Sequence, residues 1–180
     1  MQETARVRLL RGTESDILAD GALDYPDAVL DRLDVVIASI HNRNQQDEDA
    51  MTRRIVQAMR HPVRKIWGHP LGRMLLRRPP VPLRMGEVLD AIAESDAIIE
   101  LNGDPIRLDL PSEWARAARA RGIHRFVVSV DAHQPRSSGT STTPSCWRAT
   151  PASVRPRCST LPVDARSCAR SRRRAAAATR

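Results

Sequence analysis

Apolar residues fall in short runs along this chain, separated by stretches of helical periodicity. Val35 to Ile40 (VVIASI), Val63 to Trp67 and Ala97 to Leu101 (AIIEL) are compact and rich in Val and Ile. So is the start of Phe126 to His133 (FVVSVDAH). Runs of this length and composition read as buried strands. Val7 to Leu10 (VRLL) is a weaker candidate for a first strand. Between the runs, Pro26 to Leu33 fits a short helix with proline near its first turn. Gln45 to Arg60 is amphipathic: Met51, Ile55 and Met59 share one face at i, i+4 spacing, and His61-Pro62 stops it. Met85 to Glu94 carries Val88, Leu89 and Ile92 as its stripe. Glu113 to Arg121 reads as a helix capped by Ser112 and closed by Gly122. Arg73 to Arg84 is a basic, proline-rich loop.

Strands and helices thus alternate. Polar residues at or beside the strand ends fall at positions 14, 41, 69, 102 and 131, in steps of 27, 28, 33 and 29 residues. That step is the size of one βα unit of a parallel sheet. Two architectures accommodate it: an arc of about five βα units from a TIM-like (β/α) barrel, or an open doubly wound sheet. The barrel is favoured, because polar candidates on several successive strand ends then converge on one point.

Composition changes the picture in one respect. The chain has 180 residues and a net charge of +8, which by itself suggests a nucleic-acid binder. Residues 1–133 carry 19 Lys+Arg against 20 Asp+Glu, whereas residues 134–180 carry 10 against 1. The basic character belongs to the tail, and the first segment is close to neutral. Cys146, Cys158 and Cys168 all lie in the tail as well. The first segment therefore has neither a disulfide framework nor a cysteine metal site, and suits a reducing cytoplasm. The start lacks a signal-peptide pattern, and no apolar run reaches the ~18 residues of a membrane span. A cytoplasmic, soluble protein is expected.

Glu14, His41, His69, Asp131 and His133 form the candidate chemistry. All are nitrogen or oxygen donors without a thiol, a set that suits Zn, Mn or Fe, with Mg also open. A carboxylate bridging ions among imidazoles activates water at neutral pH and clamps the attacking and leaving oxygens of a phosphoryl group. Arg43, Arg73, Arg77, Arg78 and Arg107 could receive phosphate oxygens. Asn102 sits at the same face with its role open. Metal plus arginine points to phosphoester hydrolysis. His61 and His124 stand at helix ends and read as structural.

The segments GTESDIL, VVIASIHNR, WGHPLGRMLLRR, IELNGDPIRLDLPSEWARAARARG and VSVDAH resemble the PHP (polymerase and histidinol phosphatase) domain, above all the C-terminal PHP domain of bacterial family X DNA polymerases. The resemblance covers about residues 6–133. It implies a distorted (β/α)7 barrel with a trinuclear metal site, often manganese, that hydrolyses phosphoesters. In the polymerases it implies 3′–5′ exonuclease and related DNA 3′-end processing in repair. By resemblance Glu14 would bridge metals, His41 and His69 would join it at one of them, Asp131 at a second, and His133 would serve the third. The family's opening HxH strand, a further ligand and a later histidine have no counterpart here, so four of its nine ligands are missing. An N-terminally truncated domain with one complete metal position, and weak or no activity, is expected.

Residues 134–180 admit three readings: a disordered basic tail, a nucleic-acid-binding arm, or the product of a GC-rich gene read out of frame. The function expected first is a metal-dependent phosphoesterase of family X polymerase type acting on DNA 3′ ends. A stand-alone phosphatase of histidinol-phosphatase type and a non-catalytic nucleic-acid binder are the alternatives.

Overall fold

The computed structural model describes residues 9–42 and 46–132. Five strands form one sheet: β1 (Gly12–Asp16), β2 (Val35–Ser39), β3 (Lys65–Trp67), β4 (Ile98–Asn102) and β5 (Phe126–Ser129). Between them lie α1 (Asp27–Leu30), α2 (Glu48–Arg60), α3 (Met85–Ala93) and α4 (Ser112–Ala120). Every adjacent pair of strands is parallel, and their spatial order is their sequence order. A doubly wound sheet reverses its strand order at a switch point. None of the described strands does so. The result is an α/β fold consistent with part of a TIM-like barrel.

Among the described residues, the first strand begins further along the chain than the apolar pattern suggests. Leu9 is 90% exposed, and pairing begins at Gly12, opposite Val35. A polar segment, Gly-Thr-Glu-Ser-Asp, forms the strand because β2 offers it a complete parallel ladder. Glu14 therefore sits within β1, while His41 and His69 follow the ends of their strands.

α2 starts at Glu48, where the Asp47 carboxylate accepts the Ala50 N–H at 2.7 Å. Glu48 and Asp49 in its first turn and Arg60 in its last complement the helix dipole. Met51, Ile55, Ala58 and Met59 are buried as the periodicity requires. Thr52 joins two helices: its hydroxyl donates to the Glu48 carbonyl at 2.6 Å and accepts the Arg84 N–H at 2.9 Å, just before α3. The capping role read for Ser112 is corrected. Ser112 is the first helical residue, Pro111 precedes it at the N-cap, and no side chain caps that end. The fixed φ of proline supplies the entry conformation instead.

The two faces of the sheet differ. Val36, Ala38, Trp67, Ile99, Leu101 and Phe126 turn toward the helices and share the main core with Ile55, Met59, Leu89 and Ile92. Val35, Ile66 and Ile98 form a smaller cluster on the other face, with Ile37 and Val127 beside them. Side chains alternate with period two along a strand. That second face therefore also carries Glu14, Asp16, Ser39, Glu100, Asn102 and Ser129. It is apolar near the strand starts and polar near their C-terminal ends. Lys65 opens β3 and donates through Nζ to the carbonyls of His61 and Val63, and burial pushes its ammonium pKa down to about 8.

No described helix is long and apolar enough to cross a membrane. Residues 134–180 and their three readings lie outside the described residues.

Candidate metal centre

Glu14 projects from β1, His41 follows β2 and His69 follows β3 after Gly68. Three neighbouring strands thus converge on one point. Glu14 Oε1 lies 3.3 Å from His41 Nε2 and 3.2 Å from His69 Nε2. The two imidazoles meet edge to face, with centroids 5.3 Å apart and planes at 75°. One donor atom from each of the three residues lies within 4.8 Å of the other two.

This group fits a divalent ion. Tetrahedral coordination with bonds of ~2.0 Å places ligand atoms ~3.3 Å apart. Both oxygen–nitrogen edges match that spacing. The donors are one carboxylate and two imidazoles, the mixture used at catalytic sites that keep a position open. His69 is 5% exposed. Burial, with the Arg107 cation adding to it, holds its pKa below the ordinary 6.5 against the opposing pull of Glu100 and Glu14. Its ring is neutral at pH 7 and presents a lone pair.

Glycine is required at position 68. A Cβ there would lie 2.4 Å from Ser39 Oγ and 2.6 Å from Ile37 Cγ2. The close approach lets β3 deliver His69 directly behind β2, with the Gly68 N–H donating to the Ala38 carbonyl at 3.0 Å. His69 itself adopts φ +27°, in the left-handed region that non-glycine residues seldom enter.

The other residues named from sequence have different surroundings. The Asp131 carboxylate lies outside the three-residue group, with Oδ2 3.4 Å from Arg107 Nη2. Arg73 donates through Nε to the Arg107 carbonyl at 2.9 Å and through Nη2 to the Leu108 carbonyl, so it straps two loops together. Arg77 is exposed. Arg107 is mostly buried beside His69, and its Nη1 has no hydrogen-bond partner among the described residues. Among the described arginines named above, it is the one beside His69 and so placed to meet a ligand at the histidines. Asn102 is buried: Oδ1 accepts the Asp104 N–H at 3.0 Å, and Nδ2 faces Glu100 Oε2 at 3.4 Å. It shapes the turn after β4. Arg43 and His133 lie outside the described residues.

Three carboxylates behind the histidines were not anticipated. Asp16 accepts the His41 backbone N–H at 3.0 Å. Glu100, 6% exposed, accepts the His69 backbone N–H through Oε2 and the Ser129 hydroxyl through Oε1. Asp109, fully buried, accepts the Leu71 N–H at 2.8 Å. The signal for Glu100 was present in AIIEL: a charged residue inside an apolar strand is seldom buried without a purpose.

Burial pushes the Asp109 carboxyl from 3.8 up to about 6, against the opposing amides of Leu71 and Gly72 and the Arg73 cation. An acid whose pKa is raised by folding holds its proton longer in the native state. Stability therefore falls as pH rises from about 4 to about 6, by up to about 3 kcal/mol, because ionising Asp109 in place is unfavourable. Asp109→Asn keeps an acceptor for Leu71 and removes the ionisation. Urea denaturation across that range is expected to show a flatter stability profile for the variant, and higher stability than the parent at pH 8. Parallel profiles for the two proteins would contradict the assignment.

A parallel α/β arc with a histidine–carboxylate group at its C-terminal edge defines the class. No protein-family model matches the chain. Among curated proteins it is 37% identical over 131 residues to the DNA polymerase/3′-5′ exonuclease PolX of Bacillus subtilis, a match covering 73% of this chain and 23% of that protein. It is 33% identical over 137 residues to a probable phosphatase of Caldanaerobacter subterraneus, covering 71% of this chain and 51% of that protein. A probable phosphatase of Thermoanaerobacter sp. is 35% identical over 137 residues, with 71% and 53% covered. The chain is thus a relative of the PHP-type phosphoesterases. It spans about a quarter of PolX and about half of the phosphatases.

Proposed function

We propose that this chain is a PHP-type phosphoesterase unit in which Glu14, His41 and His69 hold one divalent metal ion. The observation that carries the proposal is the approach of one Glu14 oxygen to both histidine Nε2 atoms, at 3.3 and 3.2 Å. An ion held by these three residues would supply Lewis acidity toward a phosphoryl oxygen and would make water nucleophilic at neutral pH. The chain's own residues do the rest. Neutral His69 offers its lone pair from a buried ring, Glu14 brings the negative charge, and Arg107 presents a guanidinium to phosphate oxygens. By resemblance Asp131 and His133 would join further metals with ligands that this chain does not supply, so turnover by this chain alone is slow or absent. Residues 134–180 form a separate basic segment in this reading.

The substrate proposed is a DNA 3′ end, supported by the PolX relationship over most of the chain. The probable phosphatases, of which the chain spans about half, favour a second reading in which a small phosphomonoester is the substrate. Assay of the full chain with Mn2+ on single-stranded DNA and on a small aryl phosphate separates the two. One bound Mn2+ with slow nucleotide release from DNA is expected, lost in His69→Ala. Rapid turnover that depends on His69 would show that the ligand set is sufficient after all. A chain that binds no Mn2+ overturns the proposal.

A further inference from the structure

The geometry points to Glu100 and Asp16 as positioning residues that set the two histidines through their backbone amides, an inference that rests on the metal reading above. Metal-binding histidines are ordinarily oriented through the second ring nitrogen, which donates to a carboxylate or carbonyl. His69 lacks that device: Nδ1 is buried and has no hydrogen-bond partner among the described residues. Its backbone N–H instead donates to Glu100 Oε2. Glu100 comes from β4, the strand beside β3, and is held in turn by the Ser129 hydroxyl of β5 and by Asn102 Nδ2. The carboxylate thereby ties the C-terminal ends of three strands to the residue that carries φ +27°.

The same arrangement recurs one strand away. Asp16, at the end of β1, accepts the His41 N–H at 3.0 Å with the oxygen that also lies 3.6 Å from His41 Nδ1. In each case the carboxylate belongs to the neighbouring strand, so the register of the sheet sets the spacing of the imidazoles. Glu14 meets both rings only if both amides are held. Neither Glu100 nor Asp16 touches the point where Nε2 atoms and Glu14 converge, which separates them from the ligands themselves.

The test compares alanine and amide variants in the full chain, with Mn2+ binding read from the loss of the free-ion EPR signal. Mn2+ is a hard cation for which the thiols of Cys146, Cys158 and Cys168 compete poorly. Glu100→Ala is expected to weaken Mn2+ binding about 10- to 100-fold. Glu100→Gln, which keeps an acceptor for the His69 amide, is expected to stay within about threefold of the parent, since an amide held by a neutral acceptor is still held. In the metal-free chain, Glu100→Ala should also accelerate hydrogen exchange of the His69 amide, and Glu100→Gln should not. Unchanged affinity in Glu100→Ala overturns the inference. So does a Gln variant as weak as the Ala variant, which would make the charge itself the active feature. Asp16 is partly exposed, so if Glu100→Ala fails to fold, Asp16→Ala and Asp16→Asn provide the same contrast at His41. His69→Ala serves as the reference. If it binds Mn2+ like the parent, the metal reading has failed, while the amide-exchange result still decides the positioning role.

Discussion

Glu14→Ala is expected to abolish Mn2+ binding by this chain, with the largest effect of any single substitution at the site. Glu14 is the hub: one of its oxygens faces the Nε2 atoms of both imidazoles. Without it two imidazoles remain, and the only carboxylate of the group is gone. Losing a partner behind a ligand weakens metal binding about 10- to 100-fold. Losing the charged ligand itself should exceed that. Calorimetric titration of the folded variant is the check. His61→Ala is the control, because that ring faces Asp27 at 3.4 Å, away from the group. Equal affinities for Glu14→Ala and the parent chain would place the ion elsewhere.

Gly68→Ala should carry the second large effect, on stability and site together. The added methyl group would meet the partly buried Ile37 at Cγ2, 2.6 Å away, and the buried Ser39 at Oγ, 2.4 Å away, both on β2. Forcing an extra carbon into a packed interior costs about 1–3 kcal/mol, or roughly 4–12 °C in Tm for a domain of this size. Because His69 is the next residue, the displaced backbone should also weaken Mn2+ binding. Ser39→Gly in the same chain is expected to recover part of the loss, since it removes a hydroxyl that is buried without a partner among the described residues. A Gly68→Ala protein melting with the parent would mean that β2 and β3 are not this closely packed.

The arginines separate into two kinds once their partners are known. Arg73 reads as a phosphate contact in a basic loop, yet it is committed to two carbonyls. Arg107 stands in the same part of the sequence and points its charge toward His69 and Asp131. A guanidinium's long reach makes its partner a matter of loop geometry, and neighbouring residue types do not encode that geometry directly.

Hydrophobic periodicity alone determined most of the architecture. The runs VVIASI and AIIEL and the α2 stripe led to the observed strands and helix because burial of apolar side chains drives both, and their periods of two and about 3.6 are written in residue order. The regular βα step put Glu14, His41, His69, Asp131 and His133 forward together as strand-end candidates, and the grouping of the first three at one position was what the family resemblance implied. The start of β1 was not legible, since Gly12–Asp16 is polar and becomes a strand through its ladder with β2. The same holds for the carboxylates behind the histidines. Glu100 and Asp16 act on backbone amides of residues 31 and 25 positions away. Contacts of that kind are created by strand pairing, so tertiary structure decided them. The residue types supplied the donors, and the register of five parallel strands determined which of them meet.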